Sequence, residues 1–112
     1  MKQGLQINEQ GNRYWYKDDK LHREDGPAVE CVDGLKVWFI NGLRHREDGP
    51  AHINRTGTRR WYLNDKLHRE DGPSVETSYG EKEWFLCGRE LSKKEWTIKM
   101  RRKKLIELLI DT

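Results

Sequence analysis

The residues of this chain best suited to chemistry belong to one hexapeptide, His-Arg-Glu-Asp-Gly-Pro, which occurs three times, at 22–27, 45–50 and 68–73. The histidine and the glutamate two residues later would lie on the same face of a β-strand. Imidazole and carboxylate groups can bind a metal ion or transfer protons. The hexapeptide is therefore the candidate for a metal site or an active site.

The spacing of the copies argues against a metal site. Equivalent residues are 23 positions apart, and they would be separated by two strands, which is about 9–10 Å. Two histidines on one zinc ion must each place a nitrogen about 2 Å from the metal, and one copy alone offers only two ligands. We predict no metal ligand and no cofactor, and instead a cross-strand hydrogen-bonding ladder of histidine, arginine and acidic side chains.

Catalysis is also disfavoured. An active site is normally built once from unlike residues, whereas this motif is present in three identical copies. It differs from a kinase catalytic loop by an inserted glutamate, and the chain has no glycine-rich phosphate loop, no Gly-x-Ser-x-Gly and no Cys-x-x-Cys. We predict a non-enzymatic protein without catalytic residues.

The rest of the chain repeats in phase with the hexapeptide. Self-similarity at a period of 23 residues indicates one supersecondary unit stacked on copies of itself. Asn41-Gly42, between two alternating runs, predicts a type I′ hairpin turn, and Thr56-Gly57 predicts a second turn at the opposite edge. We predict a mainly β fold: a single-layer curved antiparallel meander of about eight strands, made of 23-residue β-hairpin repeats.

The Gly-Pro pair of each hexapeptide predicts a bend. Proline removes a ladder donor and glycine tolerates positive φ, and the preceding aspartate is expected to form an Asx turn. Together with a tryptophan column that we expect to be core, these are the structural positions of the repeat. They are Trp15, Trp38, Trp61, Trp84, Gly26, Gly49, Gly72, Pro27, Pro50 and Pro73.

The ring that follows each tryptophan must point to the opposite face of its strand. This second column, together with positions that vary between units, is the better candidate for contact with a partner. The predicted partner-binding residues are Tyr16, Phe39, Tyr62, Phe85, Arg55 and Thr77.

The repeat pattern stops at Leu91. Ser92 and Glu95 form a capping box that predicts a helix from about 93 to 110. The apolar side chains of this helix fall on two faces; one would cap the open end of the stack and the other would be left for another chain. We predict one structural domain, with repeats at 1–91 (about 3.5 to 4 copies) and a capping and association helix at 92–112.

The helix carries two sets of candidate site residues. The first set is apolar and predicts a homodimer or a partner contact: Trp96, Met100, Leu105 and Leu109. The second set is basic and predicts anion binding: Arg101, Arg102, Lys103 and Lys104.

Composition fits a thin repeat array. Only 34% of residues are hydrophobic and 37% are charged, yet five tryptophans argue against disorder. Residues 89–112 hold 8 of the 22 basic side chains and 4 of the 19 acidic ones, so the net charge of +3 originates there. Cys31 and Cys87 show no disulfide pattern and favour a reducing compartment. With no signal peptide and no apolar stretch of about 18 residues, we expect a cytoplasmic protein without a membrane partner.

The unit Trp-(Tyr/Phe)-x-Asn-(Gly/Asp)-x-Leu-His-Arg-Glu-Asp-Gly-Pro-Ala resembles MORN-type repeats over about residues 5–91. MORN repeats carry Gly-x-Gly where this chain has Arg-Glu-Asp-Gly-Pro. The unit is more similar to the Leu-His-Arg-Glu-Asp-Gly-Pro-Ala variant of small proteins from tailed bacteriophages, bacteria and large DNA viruses. That resemblance implies that the repeats serve as an interaction surface. It also implies that the chain is a phage protein that binds and inhibits or redirects a host factor, such as a defence system, in the host cytoplasm.

Two function classes remain open. The first is a protein-binding module that recognises its partner through variable positions on a rigid sheet. The second is a nucleic-acid or nucleotide binder that uses the basic helix and exposed aromatic residues. Phosphate-driven binding weakens steeply with salt, whereas an apolar protein interface does not, so ionic strength distinguishes the two.

Overall fold

The computed structural model describes residues 1–110, and it is a mainly β antiparallel meander with one C-terminal helix, which confirms that part of the predicted fold. The elements, in chain order, are β1 (Gly4–Ile7), β2 (Arg13–Lys17), β3 (Lys20–Leu21), β4 (Val29–Glu30), β5 (Lys36–Val37), β6 (Phe39–Ile40), β7 (Leu43–Arg44), β8 (His52–Ile53), β9 (Arg59–Arg60), β10 (Tyr62–Leu63), β11 (Lys66–Leu67), β12 (Val75–Glu76), β13 (Lys82–Leu86), β14 (Arg89–Leu91) and α1 (Lys93–Ile110).

The strands form an antiparallel meander in the order β1-β2-β4-β5-β8-β9-β12-β13-β14, with β3 paired to β2. Two further hairpins, β6-β7 and β10-β11, lie beside it. Isolated backbone hydrogen bonds, outside the strand ladders, join these hairpins to neighbouring units. In two of them Arg23 N–H donates to Phe39 O at 3.1 Å, and Arg46 N–H donates to Tyr62 O at 3.2 Å. The strands are shorter and more numerous than the eight predicted because the hexapeptides interrupt the ladders.

Each hexapeptide leaves the ladder as a loop opposite a tryptophan. Trp15 N–H donates to Ala28 O at 2.8 Å, and Trp15 O accepts from His22 N–H at 2.9 Å. Residues 23–27 project from between these two bonds, and the same pair of bonds flanks the other two copies. We call residues 23–27, 46–50 and 69–73 the first, second and third clamp loops.

The glycines of the clamp loops do not have the role that the sequence predicted. None of Gly26, Gly49 and Gly72 has a positive φ, so the expectation of a left-handed bend residue is wrong. A Cβ on Gly49 would lie 2.8 Å from Arg46 Cζ, and at Gly26 and Gly72 the corresponding distances are 3.0 and 2.8 Å. Glycine is needed there because a guanidinium packs against its Cα.

The tight turns confirm the hairpin prediction and extend it. Asn41 and Gly42 both have positive φ, at 49° and 79°, as a type I′ turn requires. The same signs occur at the three turns with weaker sequences, including the turn at Cys87, which adopts φ 50° although it carries neither an amide nor a carboxylate; its Sγ lies 3.7 Å from His68 Nδ1. A non-glycine residue there costs about 1–2 kcal/mol. Tertiary contacts must therefore help to hold the turn.

Those contacts come from the histidine of the preceding unit. His22 Nδ1 accepts the backbone N–H of Asn41 at 2.9 Å, and His68 Nδ1 accepts that of Cys87 at 2.9 Å. His45 does the same for Asn64 at 3.0 Å. The histidine of each hexapeptide therefore fixes the turn of the next unit, which is a more specific role than the ladder predicted.

The core consists of small and β-branched residues. Ala28, Ala51 and Ser74, which each follow a clamp-loop proline, are fully buried. Val29, Val37, Val75, Tyr62 and Leu91 are also buried. The tryptophans are only half-buried, contrary to the expected tryptophan core, because a one-layer sheet covers one side of a large ring and leaves the other to a neighbouring side chain.

The C-terminal helix begins as predicted. Ser92 Oγ accepts from Glu95 N–H and Glu95 Oε1 accepts from Ser92 N–H, both at 3.1 Å, which is the reciprocal pair of a capping box. The helix is described from Lys93 as far as Ile110, and residues 111–112 of the predicted segment lie outside the described residues. Within residues 1–110, no helix is both long enough and apolar enough to cross a membrane.

We expect Gly49→Ala to destabilise the protein by about 1–3 kcal/mol, because the added methyl group overpacks against the Arg46 guanidinium. In an Arg46→Met background the same substitution should cost much less. Urea unfolding of the two single variants and the double variant measures this coupling.

Gly80→Ala is the matched control. Gly80 has φ 90° and nothing within 4 Å of an added Cβ, so its cost comes from the backbone alone and should be the same whether or not Arg46 is replaced by methionine. Equal costs for Gly49→Ala in both backgrounds would contradict the packing explanation.

Candidate functional site

Each clamp loop is held by its own arginine. Arg23 Nε–H donates to Asp25 Oδ1 at 3.0 Å. Its Nη1 donates to Pro27 O and to Glu30 Oε1, each at 3.1 Å. The guanidinium also lies over the Trp15 ring, 3.8 Å from the centroid. One side chain therefore joins both ends of the loop to strand β4 and to the tryptophan.

The other two loops repeat this arrangement with one difference. Arg46 and Arg69 make the same bonds within their loops, at 2.8–3.1 Å, and lie 4.0 and 3.8 Å from the centroids of their tryptophan rings. Arg69 also donates to Glu76 Oε1 at 3.0 Å. The second loop lacks this bond because Ile53 occupies the equivalent position.

The arginines of the clamp loops act on the carboxylates that they contact. The aspartates accept from an arginine two residues earlier, where an Asx turn was expected. The hydrogen bond and charge of Arg46 lower the pKa of the Asp48 carboxyl. Burial raises the pKa of Glu76, but hydrogen bonds from Arg59 and Arg69 more than offset this, and the pKa is lowered. Asp48 and Glu76 therefore keep their charges at neutral pH.

Two grooves open between successive clamp loops. The first groove, of about 820 Å³, lies between the first and second loops and is lined by Trp38, Ile40 and His45. The second groove, of about 640 Å³, lies between the second and third loops and is lined by Trp61, Leu63 and His68. Each groove has the same construction: a tryptophan and an aliphatic side chain between two walls of charged loop.

The rims of the grooves are acidic. Glu24 and Glu47 have side chains that are 79% and 85% exposed, and Asp48 is 87% exposed. His22 Nε2 lies 3.4 Å from Glu24, and His45 Nε2 lies 3.6 Å from Glu47. Because Nδ1 of each histidine accepts a backbone N–H, the proton of the neutral ring is on Nε2, facing the glutamate.

The position that corresponds to a third groove is occupied by the protein's own helix. Trp96 Nε1–H donates to Arg69 O at 3.0 Å, and Lys103 Nζ hydrogen-bonds Glu70 Oε1. Lys93 Nζ lies 5.8 Å from the Trp84 ring centroid, where the other tryptophans carry an arginine. Helix α1 thus begins in place of a fourth clamp loop and covers the third.

The predicted partner-binding residues differ in exposure and in their place in the fold. Tyr16, Phe39 and Phe85 are half-buried, and Tyr62 is buried beneath the Arg44 guanidinium, 4.0 Å from its ring centroid. The other two lie in turns at the opposite edge of the sheet: Arg55 is exposed, and Thr77 Oγ1 accepts from Glu81 N–H at 3.0 Å.

The predicted site residues of the helix differ in exposure in a way that the sequence did not predict. Trp96 and Met100 are half-buried, and Trp96 bonds the third clamp loop instead of facing another chain. Leu105 and Leu109 are 61% and 75% exposed. Of the basic residues, Lys103 is paired with Glu70. The exposed Arg101, Arg102 and Lys104 have no acidic partner within residues 1–110.

The sequence placed the hexapeptide arginine only in a hydrogen-bonding ladder, and it did not predict the stacking of that arginine on a tryptophan or the grooves that it shapes. A signal was present, since each arginine lies eight residues after a tryptophan in three units, and the fourth unit has Ser92 at that position. The structural positions Pro27, Pro50 and Pro73 end the clamp loops, and their carbonyl oxygens accept from the arginines.

Within residues 1–110 there is no group of three or more His, Cys, Asp or Glu side chains placed to hold a metal ion. No family model, curated protein or solved structure matches the chain. The clamp loops and the two open grooves are therefore the features from which a function must be argued.

Docking of the helix should depend on pH through Glu70. Hydrogen bonds from Lys103 and His68 hold the pKa of the Glu70 carboxyl below its ordinary 4.5. Because the folded pKa lies below the unfolded value, the stabilisation is complete above about pH 4.5 and is lost as pH falls through the lower folded pKa. We expect the NMR signal of the Trp96 indole N–H to move towards that of a free indole on acidification below pH 4.5.

Glu70→Gln should cause part of that shift already at pH 7, and Glu24→Gln, in the first clamp loop, should not. The indole signal of Trp38 reports whether the sheet is still folded. A Trp96 signal that is the same in Glu70→Gln as in the original protein would show that the ion pair does not hold the helix.

Proposed function

We propose that this protein is a non-enzymatic protein-binding module whose contact surface is the face that carries the two open grooves. The observation that supports this most strongly is the presence of two grooves of the same construction, side by side, with apolar floors and charged walls. A few apolar anchoring positions surrounded by a polar rim is the usual anatomy of a protein interface.

The rigidity of the walls favours binding. Each clamp loop is tied by arginine bonds at both ends and by a stacked ring, so few side chains have to be ordered when a partner binds. Preorganised surfaces bind more tightly because they lose less conformational entropy on association. The positions that differ between units, such as Ile40 against Leu63, would then set the specificity of each groove.

Catalysis is less well supported by the same geometry. In each groove the histidine, His45 or His68, is engaged at both nitrogens: Nδ1 accepts a backbone N–H, and Nε2 faces a glutamate. Because the imidazole ring fixes the turn of the next unit, the role of the histidine is structural. Grooves of the same construction in tandem fit repeated contacts along one partner better than they fit repeated active sites.

The resemblance to the repeat variant of small phage proteins would make the partner a host factor, and the protein an inhibitor or modifier of that factor in the host cytoplasm. This part of the proposal depends on the resemblance alone. The grooves themselves are independent of it.

Nucleic-acid binding is the second candidate, and one observation favours it. Arg101, Arg102 and Lys104 are exposed on the helix and have no acidic partner within residues 1–110. The carboxylates on the groove rims would repel phosphates, so such binding would be confined to the helix. It should also weaken steeply with salt.

Photo-crosslinking tests the proposed surface. A benzoylphenylalanine placed at Ile40 or at Leu63 should capture the same partner protein from a host lysate, and capture should persist at 0.5 M salt. Tyr79, which is 88% exposed in a second turn, provides the control position and should capture nothing specific. Melting curves confirm that each substituted protein is folded.

Capture at Tyr79 but not at Ile40 or Leu63 would place the binding surface elsewhere. Capture of nucleic acid from a position such as Arg102, lost at high salt, would favour the second candidate.

The outer side of the helix gives a separate proposal of self-association. Leu105, Ile106 and Leu108 are 61%, 56% and 64% exposed, and an apolar strip of this kind favours contact with a second apolar surface. Light scattering should show a dimer near neutral pH, and Leu108→Lys should convert it to a 13.4 kDa monomer. A protein that is already monomeric at high concentration would exclude the homodimer.

A further inference from the structure

The helix docked on the third clamp loop indicates which ligand the two open grooves bind. Resting on the proposed protein-binding function, we infer that each open groove binds an α-helix of a partner protein. That helix places a tryptophan indole N–H on the backbone carbonyl of the clamp-loop arginine, and a lysine or arginine seven residues later on the clamp-loop glutamate.

The template for this partner lies within the molecule. Trp96 donates to Arg69 O at 3.0 Å, and Lys103 binds Glu70. Seven residues are about two helical turns, or about 10 Å along the axis, so both side chains project from the same face of the helix. An aromatic donor and a cation with this spacing therefore recognise one clamp loop.

The open grooves offer the same groups without the helix. Within residues 1–110, no donor is bound to the carbonyl oxygens of Arg23 and Arg46, which are equivalent to Arg69 O. Glu24 and Glu47 lie near the Nε2 of their histidines at 3.4 and 3.6 Å, as Glu70 does at 3.0 Å. The acceptor and the carboxylate are therefore already in place for an incoming helix.

The floors of the grooves correspond as well. Trp38 with Ile40, and Trp61 with Leu63, are equivalent to Trp84 with Leu86 beside the docked helix. A groove of about 640–820 Å³ accommodates large side chains such as the indole. Apolar contact with the floor would add to the hydrogen bond and the ion pair.

The spacing of the units allows helices to lie side by side. Equivalent points of successive units are two strands apart, about 9–10 Å, which matches the 8–10 Å separation of packed helix axes. A helix in the second groove could therefore bind while α1 remains on the third loop, and it would lie alongside α1.

Charge selects which helices bind. Glu24, Asp25, Glu47 and Asp48 are 79–87% exposed along the rims. A partner helix with basic residues gains from this field, whereas one with an acidic residue seven positions after its tryptophan is rejected.

The probe for the test is a synthetic peptide with the sequence of residues 92–110, kept helical by a hydrocarbon staple on the side away from Trp96 and Lys103. It is titrated into the full-length protein and followed by NMR at the methyl groups of Ile40 and Leu63 and at the indoles of Trp38 and Trp61. We expect saturable shifts at these groove signals, while the Trp96 indole signal of the protein stays at its docked position.

Matched variants identify the contacts. A peptide with Trp96→Phe, which keeps the ring and loses the donor, should bind roughly threefold to tenfold more weakly. A peptide with Lys103→Glu should lose at least about tenfold, because it sets like charges against each other. Binding of that peptide should be restored at the second groove by Glu47→Lys in the protein, and at the first groove by Glu24→Lys.

The outcomes are distinguishable. Charge-swap rescue at the groove signals supports the inference. Shifts confined to Trp96 and Glu70, which would mean exchange with the protein's own helix, or no binding at all, overturn it. A decrease in self-association on Glu47→Lys alone would show that a second copy, and not a partner protein, fills the groove. If crosslinking from Ile40 or Leu63 still captures a partner while the peptide fails, the binding function stands and only the chemistry of the helix is wrong.

Discussion

The fold depends on one side chain that is used three times. In each clamp loop an arginine donates to an aspartate and to a proline carbonyl, while its guanidinium lies 3.8–4.0 Å from the centroid of a tryptophan ring. The bond to the proline carbonyl is partly buried and charge-assisted, and the stacked cation adds about 0.5–2 kcal/mol. A chain with few hydrophobic residues thereby gains fixed loops and half-covered rings without a large core. The glycine of the loop and the small residue after the proline follow from this, because larger side chains would displace the guanidinium or the strand behind it.

The histidine of the hexapeptide extends the order from one unit to the next. Its Nδ1 fixes the tight turn of the following unit, so even Cys87 is held in a left-handed conformation. Its Nε2 meanwhile faces a glutamate on the rim. The same residue therefore joins neighbouring units and orients an acidic group towards solvent. The clamp loops are fixed by bonds within each unit, and the tight turns are fixed by bonds between units. As a result, grooves of regular spacing lie between the clamp loops. The C-terminal helix covers the last of these positions.

Local chemistry determined what could be predicted from the sequence. Asn41-Gly42 and the Ser92–Glu95 capping box act through neighbouring backbone groups, and both are present in the structure. Gly49 was assigned the wrong role because a glycine can serve either a backbone angle or a close contact, and only the fold shows that Arg46 packs on it. Trp96 was assigned to an intermolecular face because helical periodicity separates faces but does not say which of them meets Arg69, 27 residues earlier. The grooves were missed for the same reason, since they exist only between loops of different units.

The central claim is that arginine clamps fix the loops that shape the grooves. Its most direct test is the solvent exchange of the arginine Nε protons, measured by NMR in the intact protein. Arg23, Arg46 and Arg69 each donate Nε–H to an aspartate at 2.8–3.0 Å, so their signals should be resolved and should exchange much more slowly than that of exposed Arg55. Exchange at the rate of Arg55 at all three positions would mean that the clamps open freely in solution, and the account of the grooves as preformed would be contradicted.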